Sequence, residues 1–348
     1  MIAMPAMVST FPAAEPPRAR LGRRAVLLAG VAAGLAGCTS RMAPVGPRVL
    51  PPEAADGAFV LSDGARLPYR QWLPPGRVQL AVLALHGFND SRDAWALPAP
   101  VFAAAGMAIY APDQRGFGAA PGRGLWPGGD VLARDAAEMA GVVRRYHPTV
   151  PLVLMGESMG AAALMRLAVL PEAPPDARYV LSSPAVWSRA QMNVFYRLGL
   201  WFGGTLLPGM TAARPPGPIR IIASDNRAAL KALSDNPLTI KATRFDTIRG
   251  LVNLMDAAQA AAAGMHVPAL LLYGGHDKLV PPDAMRATWR RLPPSARCAF
   301  YPAGYHLLLR DLERAVPIGD IIAWLQNGAA PLPSGADTTA VAWLDKTT

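Results

Sequence analysis

A doubly wound α/β fold, with a mainly parallel sheet and an inserted helical cap, is predicted by three features of the sequence. Residues 80–85, 107–111, 152–155, 179–181 and 269–273 are short apolar runs that are continuous rather than alternating, as expected of strands covered on both faces. Residues 130–146, 158–170 and 311–326 carry apolar side chains at helical spacing, and such alternation of strand and helix implies parallel strands joined by crossovers. Between Ser188 and about Gly264 the alternation stops. A structureless loop of that length does not suit a compact domain, so the apolar 198–210 stretch, the Pro-rich 214–218 stretch and the helical 226–233 and 245–263 stretches are assigned to a cap.

The remaining elements follow from local signals. Residues 1–37 are laid out as an export signal, with a basic stretch ending in Arg23-Arg24, an apolar run over 25–35, then Leu35-Ala36-Gly37 before Cys38. That run is about half of the ~20 residues needed to span a bilayer. Leu35-Ala36-Gly37-Cys38 resembles a bacterial lipobox, which implies cleavage before Cys38, a diacylated thiol and a chain anchored to the cell envelope, facing the periplasm or the exterior. Gly22-Arg23-Arg24-Ala25-Val26-Leu27 is similar to a twin-arginine signal, and general export fits nearly as well, so the route stays open. The alternative is an uncleaved leader with a short apolar helix, begun at Met1, Met4 or Met7. Residues 38–56, rich in Pro and Ala, are expected to form an extended tether. Residues 57–61 and 67–73 flank Ser62-Asp63-Gly64 as an antiparallel hairpin. The core then occupies 57–187 and 265–327 around the 188–264 cap, and 328–348 is expected to be a weakly ordered tail.

With 52% hydrophobic and 17% charged residues the chain can bury a large core. Its net charge of +10 comes almost wholly from scattered arginines, without the interleaved aromatics of a nucleic-acid surface. Four of them, opposed only by Glu15, precede Cys38, so a cleaved chain keeps +7. Cys38 and Cys298 are the only cysteines; lipidation of the first leaves no disulfide, and the second lies in a strand-like run as a small core residue. Gly116, Gly118, Gly122 and Gly124 lack the dinucleotide spacing and the P-loop lysine, and are turn glycines. No HExxH or CxxC pattern offers a metal site, and the chemistry expected below needs no cofactor.

That chemistry centres on Gly156-Glu157-Ser158-Met159-Gly160, which follows one apolar run and opens a helix. Strand before and helix after are what a nucleophile elbow requires: a sharp turn that exposes a serine hydroxyl, with glycines where a Cβ would collide. A serine needs a base in reach, and the base needs a carboxylate to set its tautomer. Of five histidines, His306 is the leading candidate, after the last strand and before the terminal helix, with His276 as competitor. His86, at a strand end before Gly87, reads as a structural loop histidine; His147 ends a helix and His266 sits at the cap's exit. Asp277 follows the 269–273 strand directly, whereas Asp283 lies beyond two prolines at a helix start. The order Ser158, Asp277, His306 is that of a nucleophile-elbow triad. Backbone N–H groups of Met159 and Phe88 are the candidate oxyanion donors.

These stretches, together with Asp113-Gln114-Arg115-Gly116-Phe117-Gly118 and 268–281, resemble the monoacylglycerol lipase and lysophospholipase branch of the α/β-hydrolases, also grouped with the serine aminopeptidases. The resemblance spans roughly residues 59–325. It implies the Ser158, Asp277, His306 triad, a cap between the sixth and seventh core strands, and a single-chain acyl ester as substrate. It departs at Phe88-Asn89-Asp90, where the family's lipases continue Gly-Glu-His, which bears on the choice of monoglyceride. Trp201-Phe202 and Leu206-Leu207 either line an acyl pocket or pack on the core. An aminopeptidase would instead need an acidic cap residue for the substrate ammonium, with Asp225, Asp235 and Asp256 available; a noncatalytic lipid-binding lipoprotein is the reading from another class.

Overall fold

The computed structural model describes residues 39–213 and 222–346. Cys38, the export signal and the 214–218 stretch lie outside the described residues. The strands are β1 (Glu53–Ala55), β2 (Ala58–Val60), β3 (Arg66–Trp72), β4 (Leu80–Leu85), β5 (Met107–Pro112), β6 (Leu152–Glu157), β7 (Arg178–Ser182), β8 (Thr211–Ala213), β9 (Ala242–Arg244), β10 (Ala269–Gly274) and β11 (Ala296–Tyr301). The helices are α1 (Pro98–Ala104), α2 (Gly129–Tyr146), α3 (Met159–Leu167), α4 (Val194–Leu206), α5 (Arg227–Asp235), α6 (Phe245–Ala261), α7 (Pro282–Trp289), α8 (Ala315–Gln326) and α9 (Ala336–Asp345).

One sheet runs β1-β2-β3-β5-β4-β6-β7-β10-β11. From β5 to β11 all pairings are parallel, and β3 joins β5 antiparallel. All five continuous apolar runs are strands of this parallel part, and β4, β5, β6 and β10 are buried along their whole length. Because successive strand residues face opposite ways, Leu83 and Leu154 join one core with residues of α2 and α3, while Val82 and Val153 join another with residues of α1 and α8. The chain is therefore doubly wound, with helices on both faces of a mainly parallel sheet. The sequence hairpin is the β2-β3 pair, Phe59 opposite Leu67.

Between β7 and β10 the chain leaves the sheet to build α4, α5 and α6 with a small β8-β9 ladder. The ladder escaped the sequence reading because three-residue strands carry no measurable period. α6 returns to the core, burying Val252, Leu254 and Ala258.

Two expectations fail. The 38–56 tether is, over its described part, a strap: Met42 bridges to Trp126, Ala43 is buried and its N–H donates to the Trp126 carbonyl at 2.9 Å, and Arg48 pairs with Asp135 and Glu138. Arg115 donates to the Pro44 carbonyl at 3.0 Å and β1 pairs with β2. Its partners lie far along the chain, so a Pro-rich composition could not announce them. Nor is 328–348 a weakly ordered tail, for α9 packs along β11 and Trp343 stacks on Phe300 with ring centroids 4.7 Å apart. By covering the outermost parallel strand, α9 shields an edge that would otherwise be open to pairing.

Candidate active site

The functional side chains converge because four chain segments leave the sheet at the carboxyl ends of β4, β6, β10 and β11, where function gathers in doubly wound sheets. After β6, Ser158 takes φ 53° and ψ −112°, a region that side chains rarely occupy. The turn is held by Ser158 N–H donating to the Ser182 carbonyl at 2.9 Å and by the Ser158 carbonyl accepting from Ala185 N–H at 3.1 Å. A Cβ at Gly160 would stand 2.5 Å from the Leu85 carbonyl oxygen, and one at Gly156 would stand 2.6 Å from the Ala161 nitrogen. Both glycines are thus demanded by the close approach of α3 to β4 and β6.

Asp277 and His306 arrive from the loops after β10 and β11, and both are buried. His306 Nδ1 lies 2.7 Å from Asp277 Oδ2, and Asp277 Oδ1 accepts from the N–H groups of Leu279 and Val280. With Nδ1–H donating to the carboxylate, Nε2 keeps its lone pair for a proton acceptor's role. Burial would depress the imidazole, but the Asp277 carboxylate, joined by that of Glu157, outweighs it and raises the pKa above the ordinary value. Base function requires the neutral ring, so activity depending on it falls as pH falls through that raised value. Ser158 and His306 line one cavity of about 700 Å³. Their side chains are not hydrogen-bonded to each other in this structure, and geometry of this kind often tightens only when substrate binds.

Phe88 lines the same cavity, and Met159 is the first residue of α3, where backbone N–H groups have no partner within the helix. The loop that carries Phe88 is held by His86: its Nε2 accepts from Gln114 N–H at 3.0 Å, its Nδ1 faces the Gly87 carbonyl at 2.8 Å, and the ring is fully buried. His86 is thereby a structural histidine. His276 is exposed at the surface with its ring against Tyr305, and His147 meets the Tyr110 hydroxyl. Arg115 of the 113–118 motif is fully buried between Asp63 and Asp135, so that motif is structural as well. Gly116, Gly118, Gly122 and Gly124 all have positive φ, as turn glycines should. Cys298 lies on β11, where burial pushes its thiol up to about 12.

Three charged residues were missed. Asp90, Glu157 and Arg310 are buried beside Ser158 and His306 and line their cavity. The available signal was Glu157 itself, an acid at the end of an otherwise apolar strand, since a carboxylate buried there demands a cation. Of the three acidic cap residues considered for an ammonium, none lines the cavity: Asp256 pairs with Arg189, Asp235 with Lys231, and Asp225 accepts from Leu312 N–H. Most of the cavity wall is apolar, and half of its lining residues come from the cap, including Phe195, Leu200, Ile248 and Met255. Trp201 and Phe202 are exposed instead.

The profile of the family described as serine aminopeptidase, S33, matches residues 76–313. The chain belongs to this family of α/β-hydrolases. It is a serine hydrolase. A monoacylglycerol lipase of Mycolicibacterium smegmatis is 25% identical over 290 residues, covering 78% of this chain and 96% of the relative. The monoglyceride lipase of Mus musculus is 26% identical over 289 residues, covering 80% and 92%. In fold, the chain matches a soluble variant of the Saccharomyces cerevisiae monoglyceride lipase, solved with a substrate analog, at a TM-score of 0.66 and 17% identity over 84% of this chain and 98% of that one.

Proposed function

We propose that this hydrolase cleaves carboxylic esters of single-chain amphiphiles, a monoacylglycerol or a lysophospholipid, through Ser158, His306 and Asp277. The observation that carries the reading is the buried Asp277–His306 bond, whose imidazole lines an apolar cavity together with a serine in strained elbow geometry. Nε2 of His306 takes the proton as Ser158 Oγ attacks the ester carbon, and the imidazolium is held by Asp277. The N–H groups of Phe88 and Met159 receive the oxyanion. Collapse expels the alcohol, which takes that proton, and leaves an acyl-enzyme; water activated by the same imidazole then releases the acid.

Aminopeptidase activity is disfavoured by the site's charges. Among the described residues, the acids lining the cavity are Asp90 and Glu157, and Arg310 already pairs with both. Rates on p-nitrophenyl esters of increasing acyl length are expected to rise from acetyl to medium chains, with an aminoacyl p-nitroanilide cleaved near background. Fast anilide cleavage with a flat ester series would reverse the assignment.

We also propose a lipid anchor at Cys38, with the cap turned toward the membrane. The first described residue, Thr39, accepts from Arg244 at 3.1 Å, and the neighbouring Phe245 donates its N–H to the Met210 carbonyl just past α4. On α4, Phe195, Tyr196 and Trp201 are exposed by 80%, 59% and 59%, and the first two also line the cavity mouth. Contiguous apolar surface of this kind suits a lipid interface. No helix among the described residues is long and apolar enough to cross a membrane. When the full chain is made in a bacterium, it is expected in the membrane fraction, and Cys38→Ala should release it; retention of the variant would remove the anchor.

A further inference from the structure

Arg310 is 6% exposed and its side chain meets two carboxylates at once. Its Nη2 donates to Asp90 Oδ2 at 2.7 Å and also to Glu157 Oε1, while Nε reaches Glu157 Oε2 at 3.3 Å. Each of the three comes from a different segment of the site. Asp90 ends the segment after β4 that carries Phe88, Glu157 immediately precedes Ser158, and Arg310 lies four residues beyond His306. A hydrogen bond from Arg310 N–H to the Leu307 carbonyl at 2.7 Å ties it to the base's own turn, and the Arg310 carbonyl accepts from Asn226 at 2.9 Å.

We propose that Arg310 is a positioning residue: one buried guanidinium, by holding Asp90 and Glu157 together, keeps the oxyanion loop, the nucleophile elbow and the histidine loop in register. This rests on the triad reading above and assigns it a further part. The guanidinium suits the task because its planar fork donates in several fixed directions, whereas an ammonium is a point charge that cannot span both acids with the same geometry. A plain packing role does not account for the arrangement. Buried ion pairs contribute little net stability compared with apolar residues of the same volume, yet here three charges are buried at the one place where three loops must agree. The demand is steep, since misplacing reacting groups by about 1 Å can cost on the order of 10²-fold in rate.

The charges also face the imidazole. His306 is met by Asp277 from the β10 loop and lies in the field of Glu157 from the elbow and of Arg310 from its own loop; Asp90, from the segment after β4, meets Arg310, and Asp311, in the field of Asp225, accepts from the neighbouring Tyr305 N–H. Glu157 favours the imidazolium and Arg310 opposes it. A Glu157→Gln change, which deletes one anion and leaves Arg310 paired with Asp90, should therefore move the acid limb of the kcat/KM profile to lower pH.

The test is a double-mutant cycle on kcat and KM for a p-nitrophenyl ester, with fluorophosphonate labelling of Ser158 and a thermal melt for each protein. Arg310→Gln is expected to lower kcat by on the order of 10²-fold with KM changed less than about twofold. Arg310→Lys should recover part of that loss, and Arg310→Gln with Glu157→Gln should lose no more than Arg310→Gln alone, because both act through one contact. A folded Arg310→Gln enzyme with nearly native kcat, or losses that multiply, would overturn the clamp. If Arg310→Gln does not fold, Arg310→Lys and Glu157→Gln decide it: nearly native kcat in the first and an unmoved acid limb in the second would count against it. A wild-type chain that neither labels nor turns over would instead remove the triad reading itself.

Discussion

Replacing Ser158 by Ala is expected to lower ester turnover by roughly 10⁶-fold and to abolish fluorophosphonate labelling, while circular dichroism and the melting curve stay native. The size follows from the unit character of the proposed triad: with Ser158 as nucleophile removed, His306 and Asp277 would have nothing to act on. The fold should survive because the elbow is held by backbone bonds to Ser182 and Ala185, which do not use the hydroxyl. A companion change sharpens the point. Ser158→Gly is equally inactive but should be more stable than Ser158→Ala, by about 0.4–1 kcal/mol or more, since a φ of 53° is free of strain only for glycine. Residual turnover within tenfold of wild type would move the chemistry elsewhere, and a less stable glycine variant would contradict the strain.

Trp343→Ala should produce the largest loss of stability away from the site, about 3–5 kcal/mol, read as a fall in Tm of roughly 6–20 °C. Trp343 packs against Phe300, Tyr273 and Trp289, with the Arg286 guanidinium 4.3 Å from its ring centre. Little can collapse into the space because the surrounding rings are themselves held by β10, β11 and α7. None of these four aromatic side chains lines the cavity, so kcat at low temperature should stay near wild type. A Tm within about 2 °C of wild type would mean that α9 contributes nothing to the sheet edge.

The failure to foresee α9 has a definite cause. Ala336–Asp345 holds two threonines and opens after a glycine, and of the three residues it buries at helical spacing, Ala336, Ala340 and Trp343, two are alanines, so the local apolar signal is weak. Its helix is secured by one tryptophan that finds an aromatic nest assembled from β10, β11 and α7. The 39–55 strap is similar, held by Trp126, Arg115, Asp135 and Glu138 at long range. Arg310 was unreadable for the same reason, since nothing near it in the chain names Asp90 or Glu157 as partners. By contrast, His306 and Asp277 were legible because each follows a strand directly, and the alternation of strand and helix already says which end of the sheet such residues reach.

The sequence by itself determined the parallel sheet, the hairpin that precedes it, the elbow at Ser158 and the family. These depend on periodicity and on glycines at fixed offsets, both local properties of the chain. Tertiary structure alone decided that the N-terminal strap and the C-terminal helix are docked, that His276 stays at the surface while His306 meets Asp277, and that one buried arginine joins three loops. Those outcomes depend on charges and rings separated by tens to hundreds of residues, whose pairing energy exists only once the fold has excluded water from between them.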